Sequence, residues 1–337
     1  MGFVFARLQH RYFEQSRIQN FCVKINYNIV KFEQTNAVVE VTITGRKSNE
    51  KLNSFFFELL SMMFLYLGSF PKIEKLFLGE QEVDGSKFAK KYVSYSYFER
   101  KDSYICEISA QTICEEKYNK FKQIPQMPIY SMQYLVSEHY QYMNITHKVT
   151  LLTHIIDGIT RIPTSRNQLN QIKSNLRTKY KIPASDEVGN YLVHADIALT
   201  PFFKLHSNYN CGIIPFLGKS RYNFLRIVSD TRNWYSHFLK ETQKIDRLKS
   251  GMEMVIFFEL ILYCLRIYLI QAMDIVIEKD ATKEYLYTVH DWILEIKYGR
   301  DEPLKSNTYR IQKGMKEMTE QLRSFVQEHQ DEYTIIE

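Results

Sequence analysis

One segment of this chain carries side chains able to move a proton beside a phosphate. It reads Arg226-Ile227-Val228-Ser229-Asp230-Thr231-Arg232-Asn233-Trp234-Tyr235-Ser236-His237-Phe238. Wound at about 100° per residue, Phe224, Val228, Thr231, Tyr235 and Phe238 form one apolar stripe. Arg226, Asp230, Asn233, His237, Lys240 and Lys244 fall on the opposite face, with Arg232 on the flank between. An imidazole titrates near neutrality and serves as general acid or base, while a guanidinium keeps its charge and neutralises phosphoryl oxygens. Such a pair needs no metal, so neither a metal nor a cofactor is expected. Of the nine histidines, only His237 has an arginine five residues before it. A solvated helix face also displays Asn, His and Lys, so the pattern alone leaves both readings open.

Charge around the segment favours a polyanionic partner. The chain has a net charge of +6, and residues Arg221 to Ser250 hold seven Lys or Arg against three Asp or Glu. Phosphate contacts by Arg226, Lys240 and Lys244 would therefore add affinity that falls with salt. Trp234, Tyr235 and Tyr222 could stack bases, although Tyr235 belongs to the apolar stripe and Trp234 suits packing or a dimer contact.

Other chemistries find no support. There is no glycine-rich phosphate loop, no GxGxxG, no HExxH and no GxSxG. His147 and His154 lie seven apart on one helix face without an evident third ligand, and read as ordinary helix residues. The five cysteines (Cys22, Cys106, Cys114, Cys211 and Cys264) are scattered and lack metal-site spacing, which reads as free buried thiols in a reducing compartment. Arg7, His10 and Arg11 interrupt any apolar run at the start, so no signal peptide is expected. The most apolar stretch, Met252 to Met273, contains Glu253, Glu259 and Arg266 and reads as a buried helix, not a membrane span. A cytoplasmic protein with no membrane partner is the expectation.

The elements that must hold the segment follow from composition and periodicity. With 337 residues, 45% hydrophobic and 24% charged, the chain is an ordinary globular one and long enough for two domains. The fold class expected is α+β, a strand-rich domain over 1–128 followed by an all-α bundle over 129–337. Strands are expected at Asn20–Phe32, Ala37–Thr44, Lys91–Phe98 and Tyr104–Ser109, with one helix from Lys51 to about Leu67. Pro125 and Pro128 read as the connection. Helices are then expected at Ser131–Met143, His147–Ile162, Ser165–Tyr180, Ser185–Leu199, Tyr222–Lys240, Ile245–Ile277, Thr282–Lys297 and about Thr308 to His329, with Ser165 and Ser185 as N-caps.

Arg232-Asn233-x-x-x-His237, preceded by Asp230-Thr231 and set in a helical domain, resembles the defining motif of the HEPN superfamily of ribonucleases. The wording Ile-Val-Ser-Asp-Thr-Arg-Asn-Trp-Tyr-Ser-His is similar in particular to the ApeA-type HEPN domain, which follows a strand-rich domain in bacterial antiphage proteins. The motif covers about a dozen residues, and the strand-rich half matches by layout alone. The resemblance implies a metal-independent endoribonuclease with Arg232 and His237 catalytic and Asn233 orienting them or the phosphate. It implies cleavage of host RNA, transfer RNA in particular, by 2′-hydroxyl attack that leaves a 2′,3′-cyclic phosphate. It further implies a homodimer through the HEPN domain, abortive infection as the setting and a phage-derived trigger, with residues 1–128 as the candidate sensor. Leu239 stands where HEPN toxins controlled by a nucleotidyltransferase antitoxin carry Tyr, which argues against that mode of control. The alternatives are a non-catalytic HEPN module that binds RNA or a partner protein, and a purely structural interaction protein in which the motif is coincidental, which a His237 buried against the bundle core would favour.

Overall fold

A computed structural model describes residues 1–15, 17–35, 37–84, 103–137, 143–162, 165–209, 220–237, 248 and 251–298. Met1–Leu286 forms one compact unit and Tyr287–Glu337 a second. The class is α+β: an antiparallel sheet built early in the chain, followed by helices.

The sheet owes its position to one alternating strand. In β4 (Val38–Gly45) the odd residues Val39, Val41 and Ile43 are buried, and Glu40, Thr42 and Thr44 point the other way. Its neighbours are β1 (Gly2–Gln9) and β3 (Asn28–Thr35), which give the order β2-β3-β4-β1-β5-β6 with β2 (Phe21–Ile25), β5 (Lys72–Leu78) and β6 (Gln81–Val83). Register carries the apolar face straight across: Ile43 sits between Val4 and Val30, and Val41 between Ala6 and Phe32. All six of those side chains are essentially inaccessible to solvent.

A short helix, α1 (Arg11–Gln15), follows β1. The covering helix is α2 (Asn49–Leu67), which packs on β1 and β4. Ser48 caps its start by accepting from the Lys51 N–H, and Gly68 ends it at φ 82°, a left-handed value that glycine adopts without strain. Every residue from Leu59 to Leu67 is buried, because α2 has protein on all sides by its second half.

Helices α3 (Glu115–Gln123) and α4 (Gln126–Val136) follow. The prolines read as a connection instead start α4: Pro125 is its N-cap and Pro128 lies in the first turn, where a missing N–H costs nothing. The helix expected from Ser131 therefore begins earlier and ends sooner, and the boundary expected at 128 falls inside it. The bundle comprises α5 (Ile145–Ile159), α6 (Arg166–Tyr180), α7 (Asn190–Tyr209), α8 (Arg221–His237) and α9 (Gly251–Ala272), succeeded by α10 (Lys279–Tyr298). Helices α5, α7 and α8 pack against one another, and α9 packs on α5 and α7. Asn144-Ile145-Thr146 is a helix start: the Asn144 side chain caps α5 through the Thr146 N–H.

The apolar stretch 252–273 is the axis of that bundle, running through α9. No helix among the described residues is long and apolar enough to cross a membrane. Arg266, only 1% exposed, gives α9 its tie to the sheet half. Its Nε donates to the Leu65 carbonyl (2.9 Å), Nη2 to Tyr66 (3.0 Å), and Nη1 to the Ser103 carbonyl and hydroxyl. Leu65 and Tyr66 lie in the last turn of α2, whose carbonyls have no partner within the helix. A side chain at position 68 would collide with the guanidinium, a second reason for glycine there.

Several expectations shift. Asn20–Phe32 is two strands, β2 and β3, joined by a two-residue turn at Asn26 and Tyr27 with φ values of 49° and 67°. Tyr104–Ser109 forms no strand; it is an irregular strap whose Ile105 N–H donates to the Tyr66 carbonyl at 2.7 Å. Ser165 occupies the N-cap position of α6 without a side-chain cap bond, and Ser185 lies five residues ahead of α7. Helix α9 is shorter at both ends than Ile245–Ile277. The expected strand Lys91–Phe98 and helix Thr308–His329 lie outside the described residues.

Candidate active site

Helix α8 buries Phe224, Leu225, Val228 and Thr231 against its neighbours. Thr231 is wholly buried, and its hydroxyl accepts from the Leu248 N–H at 3.4 Å. Tyr235, expected in the stripe, is half-buried with its hydroxyl 3.5 Å from the Leu248 carbonyl. The opposite face keeps Arg226, Asp230 and Asn233 half-buried and His237 exposed. A His237 sealed in the core is thereby excluded. Lys240, Lys244, Phe238 and Leu239 lie outside the described residues.

Arg232 is the best-held member of the set. Its Nη2 lies 3.5 Å from Asp157 Oδ2 on α5, and its Nη1 donates to Asn233 Oδ1 at 3.0 Å. The guanidinium also stands over the Tyr191 ring of α7, 5.1 Å from the centroid. Tyr191 is itself locked, because its hydroxyl donates to the Thr153 carbonyl at 2.8 Å. Burial and the Asp157 charge hold that hydroxyl well above its ordinary pKa, so it stays protonated. One donor, Arg232 Nε, is buried without a hydrogen-bond partner. Asn233 is thus an acceptor toward Arg232, which leaves its amide N–H groups to point elsewhere.

Helix α5 supplies a row that its sequence did not advertise. His154 and Asp157, three apart, share the face turned to α8. His154 Nε2 is hydrogen-bonded to Ser236 Oγ at 2.6 Å, next to His237 in sequence. Burial lowers the His154 pKa first, the Arg232 charge adds to this, and Asp157 opposes it. A third imidazole, His194 of α7, closes the far side: its Nδ1 is hydrogen-bonded to Thr160 Oγ1 and its Nε2 lies 3.9 Å from Asp157 Oδ1. Its pKa is lowered by burial against the pull of Asp157. Asp157 therefore stands between one arginine and one histidine and polarises a third group. The reading of His154 as an ordinary helix residue missed this, because the signal lies in the packing of α5 on α8 and not in any spacing along the chain.

The structure separates Arg226 from this group. It lies eleven residues before His237, about 16 Å along the helix. There its guanidinium is 3.9 Å from both Asp186 and Asp230, and 5.9 Å from the Tyr222 ring centroid. Tyr222 is engaged as well, stacked 6.3 Å from Tyr180 with its hydroxyl 3.3 Å from Asp186. Arg232 and His237 are not hydrogen-bonded to each other, and no group of three or more His, Cys, Asp or Glu among the described residues is placed to hold a metal ion.

The result is a cluster along the α5–α8 seam, with His194 of α7 beside it: a held guanidinium, an amide, an exposed imidazole and two partly buried imidazoles. Groups of these types have the chemistry to pair with a phosphodiester and to move protons. Comparison of the chain with family models, with curated proteins and with solved structures finds no match.

Proposed function

We propose that this chain is a metal-independent endoribonuclease of the HEPN, ApeA-like kind that its α8 segment resembles. The observation that carries the reading is the Arg232 guanidinium, held by Asp157, Asn233 and Tyr191 on the helix whose last turn exposes His237. A cation fixed from three sides needs no reorganisation when a phosphate arrives, which is where electrostatic catalysis gains most.

In this scheme neutral His237 takes the proton from a ribose 2′-hydroxyl. The 2′-oxygen attacks the adjacent phosphorus, the bond from phosphorus to the 5′-oxygen breaks, and an imidazolium returns a proton to that oxygen. The products are a 2′,3′-cyclic phosphate and a 5′-hydroxyl. Arg232 balances the charge on the non-bridging oxygens, and Asn233 orients it. A homodimer would bring a second His237 to serve as the acid. Abortive infection is the proposed setting, with host RNA, transfer RNA in particular, as substrate and a phage-derived signal as trigger.

A surface continuous with α8 supports an RNA substrate. Helix α6 carries Arg166, Lys173, Arg177 and Lys179, no carboxylate, and a single buried residue, Leu176. Lys173 and Arg177 line a cavity of about 540 Å³ together with Asp186 and Glu187, and Arg177 there donates to the Pro183 and Asp186 carbonyls. The end of α6 meets the start of α8 through the Tyr180–Tyr222 stack. A polar helix without acids suits a phosphate backbone.

The test is direct. The full chain is incubated with mixed transfer RNA in EDTA, alongside Arg232→Ala and His237→Ala, and the new ends are typed. Ends bearing cyclic phosphate from the wild type alone support the proposal. RNA that is bound but uncut by all three proteins supports the non-catalytic module instead.

A further inference from the structure

The other end of the molecule's chemistry lies on the sheet. The turn between β2 and β3 and the end of β4 enclose a cavity of about 650 Å³, within the range of small-molecule sites. Lys24, Arg46 and Lys47 line it, all exposed, and no carboxylate does. None of the three cations has an ion pair among the described residues. Unpaired cations gathered without a counter-charge leave the cavity strongly positive.

Two further features lie in the same wall. Tyr27 is 84% exposed and holds a left-handed φ of 67°. Positions in such turns favour Asn, Asp or Gly, and a bulky residue there is strained, so the hairpin itself does not account for tyrosine. Its ring lies beneath Lys24, whose Nζ is 5.7 Å from the centroid. Asn28, by contrast, is 1% exposed, and its amide nitrogen is buried without a hydrogen-bond partner. Its amide oxygen fills the space that a side chain at Gly45 would occupy.

We propose that this cavity binds a nucleotide, its base stacked on Tyr27 and its phosphates on Lys24, Arg46 and Lys47. An inorganic polyphosphate would leave Tyr27 unused, and an apolar ligand would leave three cations unpaired. A base with phosphates uses every feature of the wall. The same chemistry comes from a free nucleotide or from the 5′-phosphorylated end of an RNA, and the inference holds whether or not Arg232 and His237 cut RNA.

Isothermal titration calorimetry on the full chain tests it with four probes: ATP, inorganic triphosphate, adenosine and a 5′-phosphorylated tetranucleotide. ATP or the tetranucleotide binds, whichever is the natural source, and adenosine does not. The triple substitution of Lys24, Arg46 and Lys47 by Glu, all at exposed positions, lowers the affinity by about 100-fold or more. Tyr27→Ala lowers it about tenfold while leaving inorganic triphosphate unaffected. Arg232→Ala leaves the ATP titration unchanged. The proposal is overturned if neither ATP nor the tetranucleotide binds, if the triple variant binds as the wild type does, if Tyr27→Ala is without effect, or if Arg232→Ala abolishes ATP binding and so moves the nucleotide to the Arg232 site.

Discussion

Replacing Asp157 by Asn removes one negative charge and changes no volume. Asp157 touches Arg232 at 3.5 Å and His194 at 3.9 Å, with about a third of its side chain exposed. An ion pair so exposed contributes only about 0.2–1 kcal/mol to stability. At roughly 2–4 °C per kcal/mol for a domain of this size, the melting temperature should fall by less than about 4 °C. Catalysis should suffer more. With the carboxylate gone, Arg232 keeps Asn233 and the Tyr191 face but loses the group that fixes its far edge. A displacement of about 1 Å at a charge-stabilising group costs on the order of 100-fold in rate. The electrostatic consequences are separate and need no substrate. Asp157 favours the protonated forms of His154 and His194, so both pKa values should fall further below the ordinary histidine range in the variant. NMR titration of the two imidazoles, with single-turnover cleavage at saturating RNA, reads both effects. Unchanged titrations together with an unchanged rate would refute the assignment of Asp157 as the residue that positions Arg232. A large loss of melting temperature would instead make Asp157 a structural residue.

Four further outcomes follow from the packing. His10 is buried, and burial with the nearby Arg266 charge lowers its pKa to about 4. The unfolded chain therefore binds a proton near pH 6.5 that the folded chain refuses, so stability is full above about 6.5 and declines by about 3 kcal/mol down to about 4. His10→Gln should flatten that part of a denaturant-midpoint profile. Arg266→Leu leaves the Leu65, Tyr66 and Ser103 carbonyls short of a donor and should cost at least about 3 kcal/mol in chemical denaturation. Tyr27→Asn relieves a left-handed tyrosine and should leave the melting temperature equal or higher, never lower, while weakening nucleotide binding. Charge reversal of Lys173 and Arg177 on α6 should raise KM for long RNA and leave cleavage of a trinucleotide unchanged, because α6 meets α8 at Tyr222, about 22 Å along the helix from His237.

What could be read from the chain and what could not divide along physical lines. Helices α5 and α8 were legible because each buries one face and carries the 3.6-residue period, and α2 because of its long apolar run. Strand β4 was legible for the same reason at period two. Its partner β1 was not, because Arg7 and Gln9 alternate with Val4, Ala6 and Leu8 over too short a run, and only pairing with β4 buries them. The β2–β3 turn lacks glycine, so Asn26-Tyr27 gave no turn signal, and two strands read as one. In the candidate site, Arg232, Asn233 and His237 sit within one helix and their spacing was visible. Asp157, His154, His194 and Tyr191 come from two other helices, distant in the chain, and no local pattern marks residues that meet only when α5, α7 and α8 pack. Arg226 was grouped with the site by its position on a helical wheel. The wheel shows the face and not the 16 Å that separates it from His237, nor the two carboxylates that hold it.

RNA cleavage by His237 and Arg232 is the proposed activity. It is tested most directly by inducing the wild type and His237→Ala in a bacterium, with and without phage, and mapping the ends of total RNA. The account predicts new ends bearing 2′,3′-cyclic phosphate in the wild type alone. Identical RNA from both strains under phage challenge would contradict it.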